Sequence, residues 1–265
     1  MNVQEAIDAI IAAVPGAPLE DTVDTVKIGD PSQELRGVAV TFLGTCQVID
    51  LAAQVGANLL ITHEPIFYNH RDEVERLADD PIYRAKRELI ERHGLVIWRF
   101  HDYLHRLPPD ATIMGLREEL GWGAPAEPDT TYLCPISPMT LRQLTRVIQE
   151  RLAPCQPRIV GAPDMICRTV ALLPGAAGMG MHLEALRRSD VDVLVVGEVH
   201  EWETSEYVRD AVYLGVNKAL IVLGHAISEE PGMRWIVPWL RSRIPGVPVT
   251  FIAAGSPFCE PSTLL

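Results

Sequence analysis

Two features that would place a chain in a membrane or on a secretory route are missing from these 265 residues. No apolar stretch approaches the roughly 20 residues that a membrane-spanning helix needs. The N-terminus lacks the basic start of a signal peptide and carries acids within its apolar pattern, so residues 1–11 are predicted to form an amphipathic helix. We therefore expect a cytoplasmic protein.

Closely spaced cysteines and an excess of positive charge are also absent. No two cysteines have the spacing of a zinc knuckle or a redox motif, so we expect reduced thiols and no Cys-built metal site. Lys and Arg number 23 against 35 Asp and Glu, a net charge of −12. Binding to nucleic-acid phosphates needs clustered basic residues, so a nucleic-acid partner is disfavoured, whereas cation binding is compatible with this charge. The five cysteines are Cys46, Cys134, Cys155, Cys167 and Cys259.

The patterning that is present is typical of an α/β fold. Runs rich in Val, Ile and Leu alternate with amphipathic segments, as in strands buried on both faces of a sheet. We predict two pseudo-equivalent layered α/β halves, residues 1–125 and 126–265, packed around a cleft that holds a two-metal site. The boundary is placed in the Pro-rich stretch 125–138. The predicted strands are 37–42, 58–62, 168–173, 191–196 and 219–223; the predicted helices are 46–55, 80–93, 182–188 and 203–214, with a glycine-rich turn at 174–180.

Polar residues of the metal-ligand type follow four of the apolar runs. His63 and Glu64 end the first, and Glu198 ends its counterpart in the second half. The apolar run 95–100 leads to His101, Asp102 and His105, and the run 219–224 leads to His225 and Glu229. Strand ends are where α/β proteins place their chemistry, so this repetition indicates a functional site.

The spacing within these groups suits metal binding. In a helix, His225 and Glu229 lie four residues apart on one face and can reach one cation, and the pair His101 and His105 has the same spacing. An isolated His-Glu pair is more often a hydrogen-bonded histidine beside an exposed glutamate. Imidazole and carboxylate without thiolate favour zinc, manganese, iron or nickel over calcium.

A weaker candidate is the glycine-rich turn between a strand and a helix. The backbone N–H groups of Gly175, Gly178 and Gly180 could cradle an anion. Tight turning explains the glycines at least as well.

Three of these segments resemble one known family. LITHEPIF at residues 60–67 resembles the motif I-T-H-H-P-x-F, VGE at 196–198 resembles T-G-E, and GHAISE at 224–229 resembles G-H-x-x-[ST]-E. These are motifs of the dinuclear-metal-centre hexameric protein family, whose members are commonly named GTP cyclohydrolase I type 2 homologues. The resemblance runs in order over nearly the whole chain.

This resemblance implies two divalent metal ions and a ligand set. Carried over residue by residue, the metal ligands are His63, Glu64, His105, His225 and Glu229. His101, Asp102 and Glu198 are additional or supporting candidates. Glu64 stands where the family has a second histidine, and His105 stands where the motif H-x-x-x-D has its aspartate, a carboxylate that Asp102 could supply instead.

Two functions remain open at this point. The first is a metal-dependent hydrolase of an unknown small molecule, in which a metal pair activates water. The alternative is a non-enzymatic metal-binding regulatory or scaffold protein that forms a ring. The resemblance implies a homo-oligomer, a hexamer, and a mean hydropathy of +0.11 is consistent with apolar surface buried between subunits. The Pro-rich stretch and residues 251–265 are the predicted interfaces.

Overall fold

The computed structural model describes residues 1–123, 125, 132–153 and 155–258. By its internal contacts the chain forms two compact units. The first comprises Met1–Ala111 and Met233–Ala254, and the second comprises Thr112–Gly232 and Gly255–Leu265. In the described part of the chain, no helix combines the length and the apolar character needed to span a bilayer.

The first unit is built on a five-stranded sheet with strand order β1-β4-β3-β2-β10. Strands β2, β3, β4 and β10 are parallel, and β1 is antiparallel to β4. Its elements are α1 (Val3–Ile11), β1 (Val26–Ile28), β2 (Val38–Thr41), α2 (Cys46–Gln54), β3 (Leu59–Thr62), a 3₁₀ turn (Glu75–Leu77), α3 (Pro81–His93), β4 (Val96–Arg99), α4 (Asp102–His105), α10 (Val237–Arg243) and β10 (Val249–Phe251).

Helix ends in this unit follow from local sequence. Thr45 caps α2 by accepting a hydrogen bond from the N–H of Val48, and Asp80 caps α3 by accepting from Ile82 and Tyr83. Gly94 closes α3 in the left-handed conformation, with φ of 62°, which glycine adopts at little cost. These caps confirm the predicted helices at 46–55 and 80–93 to within one or two residues.

The second unit is built on another five-stranded sheet, with strand order β5-β7-β8-β9-β6. Strands β7, β8 and β9 are parallel, and both edge strands, β5 and β6, are antiparallel to their neighbours. Its elements are α5 (Ala111–Leu120), β5 (Leu133–Thr140), α6 (Leu141–Arg151), β6 (Arg158–Val160), β7 (Ile166–Leu173), α7 (Gly178–Arg187), β8 (Val193–Val196), a π-helical turn (Glu201–Ser205), α8 (Glu206–Tyr213), β9 (Ala219–Val222) and α9 (His225–Trp235).

Both faces of this second sheet are buried, and the strand sequences show why. Along β8, Val193 and Val195 face one hydrophobic cluster while Leu194 and Val196 face another. A strand covered on both faces needs apolar residues at every position rather than at alternate ones. This confirms the α/β fold class predicted from the continuous apolar runs.

The division into units does not coincide with the predicted boundary. The break lies at residues 111 and 112 rather than 125 and 126, and Met233–Ala254 belongs to the first unit because β10 pairs with β2. Within the Pro-rich stretch, residues 124 and 126–131 are outside the described ranges. Residues 133–140 form strand β5, which tolerates Pro135 and Pro138 because it is an edge strand with a register shift beside β7.

The glycine-rich stretch also differs from its prediction. Helix α7 begins at Gly178, four residues before the predicted start, so Gly178 and Gly180 lie in its first turn. The four cysteines within the described ranges are free thiols, as expected, and Cys259 lies outside these ranges. Burial raises the pKa of Cys134, Cys155 and Cys167 to about 11, which keeps these thiols protonated and unreactive.

Candidate functional site

Three histidines of the first unit form a compact cluster. The ring centroids of His63 and His101 are 4.7 Å apart, those of His63 and His105 are 5.0 Å apart, and those of His101 and His105 are 4.9 Å apart. One ring nitrogen from each residue lies within 4.8 Å of the other two, a spacing at which one metal ion could be shared. We call these three residues the histidine cluster.

The parallel sheet brings these residues together. His63 follows β3 and His101 follows β4, and these two strands are neighbours in register, with Thr62 opposite Arg99. Parallel neighbours end at the same sheet edge, so residues 38 positions apart in sequence become adjacent in space. One turn of helix α4, Asp102–His105, then carries His105 back beside His101.

Each histidine of the cluster has its Nδ1 atom bound to an oxygen acceptor. The Nδ1 atom of His63 lies 3.2 Å from the carbonyl oxygen of Phe100. The Nδ1 atoms of His101 and His105 lie 2.9 Å from Asp102 Oδ1 and 2.8 Å from Asp110 Oδ2. A carbonyl oxygen or carboxylate only accepts, so Nδ1 carries the proton and the lone pair resides on Nε2. Metal-binding histidines have this arrangement, in which the second nitrogen is fixed by an acceptor.

Burial sets the charge of the central histidine. Desolvation, reinforced by the neighbouring His63 and His105 and only partly opposed by Asp102 and Glu64, lowers the pKa of His101 to about 4. Its imidazole is therefore neutral at pH 7 and able to donate its lone pair. Burial disfavours the charged form of Asp102, but hydrogen bonds from Val23, His101 and Thr22 outweigh this and lower its pKa to about 2.

Asp102 orients His101, because both of its oxygens are engaged by protein donors. Oδ1 faces His101, while Oδ2 accepts from the Thr22 hydroxyl at 2.8 Å and from the Val23 N–H at 3.0 Å. The sequence left open whether His105 or Asp102 takes the place of the aspartate in the motif H-x-x-x-D. Of these two residues, His105 contributes a donor atom to the cluster.

Asp24 is a buried residue that sequence reasoning missed. Its carboxylate accepts from the N–H groups of His101 at 2.8 Å, Asp102 at 3.1 Å and Tyr103 at 2.8 Å, and so caps α4. Burial outweighs these hydrogen bonds and raises the pKa of Asp24. The separation of 77 positions between Asp24 and His101 explains why no local motif could reveal the contact.

Glu64 lies at the edge of the histidine cluster and forms an ion pair with Arg99. Glu64 Oε1 is 3.9 Å from His101 Nε2, and Oε2 is 3.6 Å from Arg99 Nη2. Arg99 is fully buried at the end of β4, and its Nε donates to the carbonyl oxygen of His63 at 3.0 Å. One guanidinium therefore fixes the backbone of His63 and forms an ion pair with the adjacent carboxylate.

The second unit also contributes ligand-type residues, His225, Glu198 and Glu229, which we call the His225 set. His225 Nδ1 lies 3.2 Å from Glu198 Oε1, and His225 Nε2 lies 2.9 Å from Glu229 Oε2. His225 and Glu229 are one turn apart at the start of α9, as predicted, and Glu198 follows β8. One imidazole between two carboxylates is a second candidate donor set for a cation.

Close backbone packing supports the His225 set. A Cβ atom on Gly175 would lie 2.2 Å from Glu229 Oε1, and one on Gly197 would lie 2.4 Å from Ser228 Oγ. Gly175 donates its N–H to Ser228 Oγ at 2.9 Å and accepts from the N–H of Glu198 at 2.8 Å. Both polar backbone groups of Gly175 are thus in use beside a carboxylate, which disfavours the anion-cradle interpretation of this glycine.

Comparison with known proteins identifies the family of the chain. The family model described as Duf34/NIF3 (NGG1p interacting factor 3) matches residues 1–257. The chain belongs to this family. It is 24% identical over 241 residues to a GTP cyclohydrolase 1 type 2 homolog of Chlamydia pneumoniae, covering 88% of this chain and 90% of the relative. A protein of the same name from Streptomyces coelicolor is 28% identical over 222 residues, covering 77% of this chain and 75% of the relative.

Solved structures show the same fold at low sequence identity. A Staphylococcus aureus protein superposes with a TM-score of 0.77 at 18% identity, covering 98% of this chain and 99% of the other. A Bacillus cereus protein related to NIF3 gives a TM-score of 0.73 at 17% identity with the same coverage. Reduced HcgD from Methanocaldococcus jannaschii gives 0.63 at 15% identity, covering 97% and 98%. The two-sheet α/β architecture is therefore that of this family.

Proposed function

We propose that the chain is a divalent-metal-dependent hydrolase of a small molecule and that it binds two metal ions. The observation that carries the proposal is the histidine cluster, in which one donor atom from each of three imidazoles converges within 4.8 Å and each Nδ1 is fixed by an oxygen acceptor. Nitrogen and oxygen donors without thiolate suit zinc, manganese, iron or nickel.

The residues have distinct roles in this proposal. His63, Glu64 and His105, together with His101, are the proposed metal ligands of the first unit, and His225 and Glu229 are those of the second. A bound divalent ion would lower the pKa of a coordinated water and supply hydroxide at neutral pH. Asp102 and Asp24 hold His101 in place, and Arg99 holds Glu64.

Metal analysis of the purified protein tests the first part. After chelation and reconstitution with Zn, Mn, Fe or Ni, elemental analysis is expected to find two ions per chain. His101→Ala should lose one of them, because it removes the central imidazole of the cluster. The matched control is His93→Ala, since His93, the last residue of helix α3, pairs with Asp50 of helix α2. Full metal content in His101→Ala would refute the assignment.

An activity screen tests the second part. Phosphoesters, amides and cyclic C–N bonds are the substrate classes to compare, the last because both curated relatives carry the word cyclohydrolase in their names. Hydrolysis should require added metal and should be lost in His101→Ala. A protein that binds two ions yet hydrolyses none of these classes would favour the metal-binding scaffold instead.

We further propose that the chain assembles as a homo-oligomer, a hexamer. The second unit has three large apolar side chains that are mostly exposed: Trp202 is 74% exposed, Tyr213 is 90% exposed and Leu214 is 74% exposed. Such exposure is a common property of interaction surfaces. Light scattering coupled to size-exclusion chromatography is expected to give six times the chain mass. A monomer at micromolar concentration would contradict the proposal. The predicted interface residues 126–131 and 259–265 lie outside the described ranges.

A further inference from the structure

A cavity of about 340 Å³ lies in the second unit beside Glu198. Its wall comes from the start of α7, the end of β8 and the π-helical turn. A volume of this size is at the lower end of small-molecule sites, and π-helical turns are frequent at functional sites. The residues that matter for its chemistry are Gly178, Met179, His182, Glu198, His200 and Glu203.

His182 is the unusual member of this wall. Its side chain is 1% exposed, and Nδ1 lies 2.8 Å from Thr204 Oγ1. The Thr204 hydroxyl donates to Met179 Sδ at 3.3 Å, so its oxygen must accept from the Nδ1–H of His182. The lone pair of His182 is therefore on Nε2, which is buried and has no hydrogen-bond partner among the described residues. Buried polar atoms rarely lack a hydrogen bond, so we expect a hydrogen-bond donor to bind at His182 Nε2.

The charge around His182 defines what that donor should be. Burial lowers the pKa of His182, so the ring is a neutral acceptor at pH 7. Glu198 and Glu203 add two carboxylates to the wall, and His200 Nδ1 lies 3.4 Å from Glu203 Oε2. Among the residues that the structure describes, His182 belongs to no group of three ligand-type residues whose donor atoms approach within 4.8 Å, so its surroundings do not offer a metal-donor set. An acceptor beside two carboxylates instead suits a cation that carries N–H bonds.

We propose that this cavity binds a small organic cation with N–H bonds, an amine, amidine or guanidine group, through His182, Glu198 and Glu203. His182 Nε2 accepts one N–H, and the two glutamates balance the positive charge. Glu198 also contacts His225 at 3.2 Å, so the bound group lies next to the His225 set. The binding itself requires no metal and stands independently of the proposed hydrolase activity.

Titration of the chain labelled with ¹⁵N-histidine tests this proposal, with methylguanidinium as the probe. Two controls separate charge from hydrogen bonding: tetramethylammonium has the charge but no N–H, and N-methylurea has N–H groups but no charge. We expect saturable binding of methylguanidinium, with a change in the His182 Nε2 resonance, in both the purified and the chelated protein. No response of that resonance, or an equal response to either control, would overturn the proposal.

Variants assign the contacts. His182→Asn keeps a donor for Thr204 but deletes the Nε2 acceptor, and Glu203→Gln removes one charge at the rim. Each should weaken methylguanidinium binding by about tenfold or more. The matched control His93→Asn should bind as the wild type does. Unchanged affinity in Glu203→Gln, or in a folded His182→Asn, would refute the assignment. If His182→Asn does not fold, Glu203→Gln and the wild-type titration still decide.

Discussion

Replacing Asp102 by Asn tests the idea that the first unit positions its histidines through their Nδ1 atoms. Asp102 accepts from His101 through Oδ1 and from Thr22 and Val23 through Oδ2. An amide has only one acceptor oxygen, so in either orientation its NH₂ group faces a donor. One unsatisfied contact of this kind costs about 1–3 kcal/mol of folding stability. Loss of an outer-shell partner typically weakens metal binding by about 10–100-fold.

The assay is competition for Zn(II) between the protein and a chromogenic chelator, with urea unfolding measured on the same samples. The matched control is Thr22→Val, which deletes the hydroxyl that donates to Asp102 and accepts from the Asp24 N–H, but leaves the hydrogen bonds from His101 and Val23 to Asp102. We expect this control to bind Zn(II) as the wild type does. If Asp102→Asn binds Zn(II) with wild-type affinity, Asp102 does not position a metal ligand, and the interpretation of the cluster is wrong.

Three further outcomes are expected. His225→Ala should lower metal content more than folding stability, since it removes one donor; full metal content with earlier unfolding would identify His225 as a purely structural residue. Arg99→Met should cost about 1–3 kcal/mol in urea unfolding, because it removes the buried guanidinium whose Nε donates to the carbonyl oxygen of His63; a smaller loss would contradict this role. Burial lowers the pKa of Lys86 from 10.5 to about 8, so between these pH values the unfolded chain binds one proton more than the folded chain. The free energy of unfolding of the wild type should therefore rise from pH 8 towards pH 10.5, by up to about 3 kcal/mol. A Lys86→Met variant that shows the same rise in urea titrations would exclude this cause.

The sequence predicted well what local periodicity and capping control. Helix α2, strand β3 and the left-handed Gly94 all follow from residues within a few positions of each other. The ligand-type residues were found for a similar reason, because each directly follows an apolar run that ends at a sheet edge. Buried parallel strands are the clearest part of such a pattern.

Long-range partners were not predictable in the same way. Asp24 caps a helix 77 residues later, and Arg99 was taken simply as the end of an apolar strand. Strand β5 was missed because prolines usually end a strand, and only its edge position accommodates them. In each case the deciding interaction depends on tertiary pairing, which no short window of sequence contains.

The pairing of β10 with β2 has a consequence for synthesis of the protein. All five strands of the second sheet lie within residues 112–232, so this sheet can form as soon as they leave the ribosome, whereas the first sheet must wait for residues 249–251. Until then, one edge of β2 presents unpaired N–H and C=O groups, the kind of edge through which nascent chains aggregate. Although its first 111 residues are made first, the first unit is thus the one whose sheet is completed later.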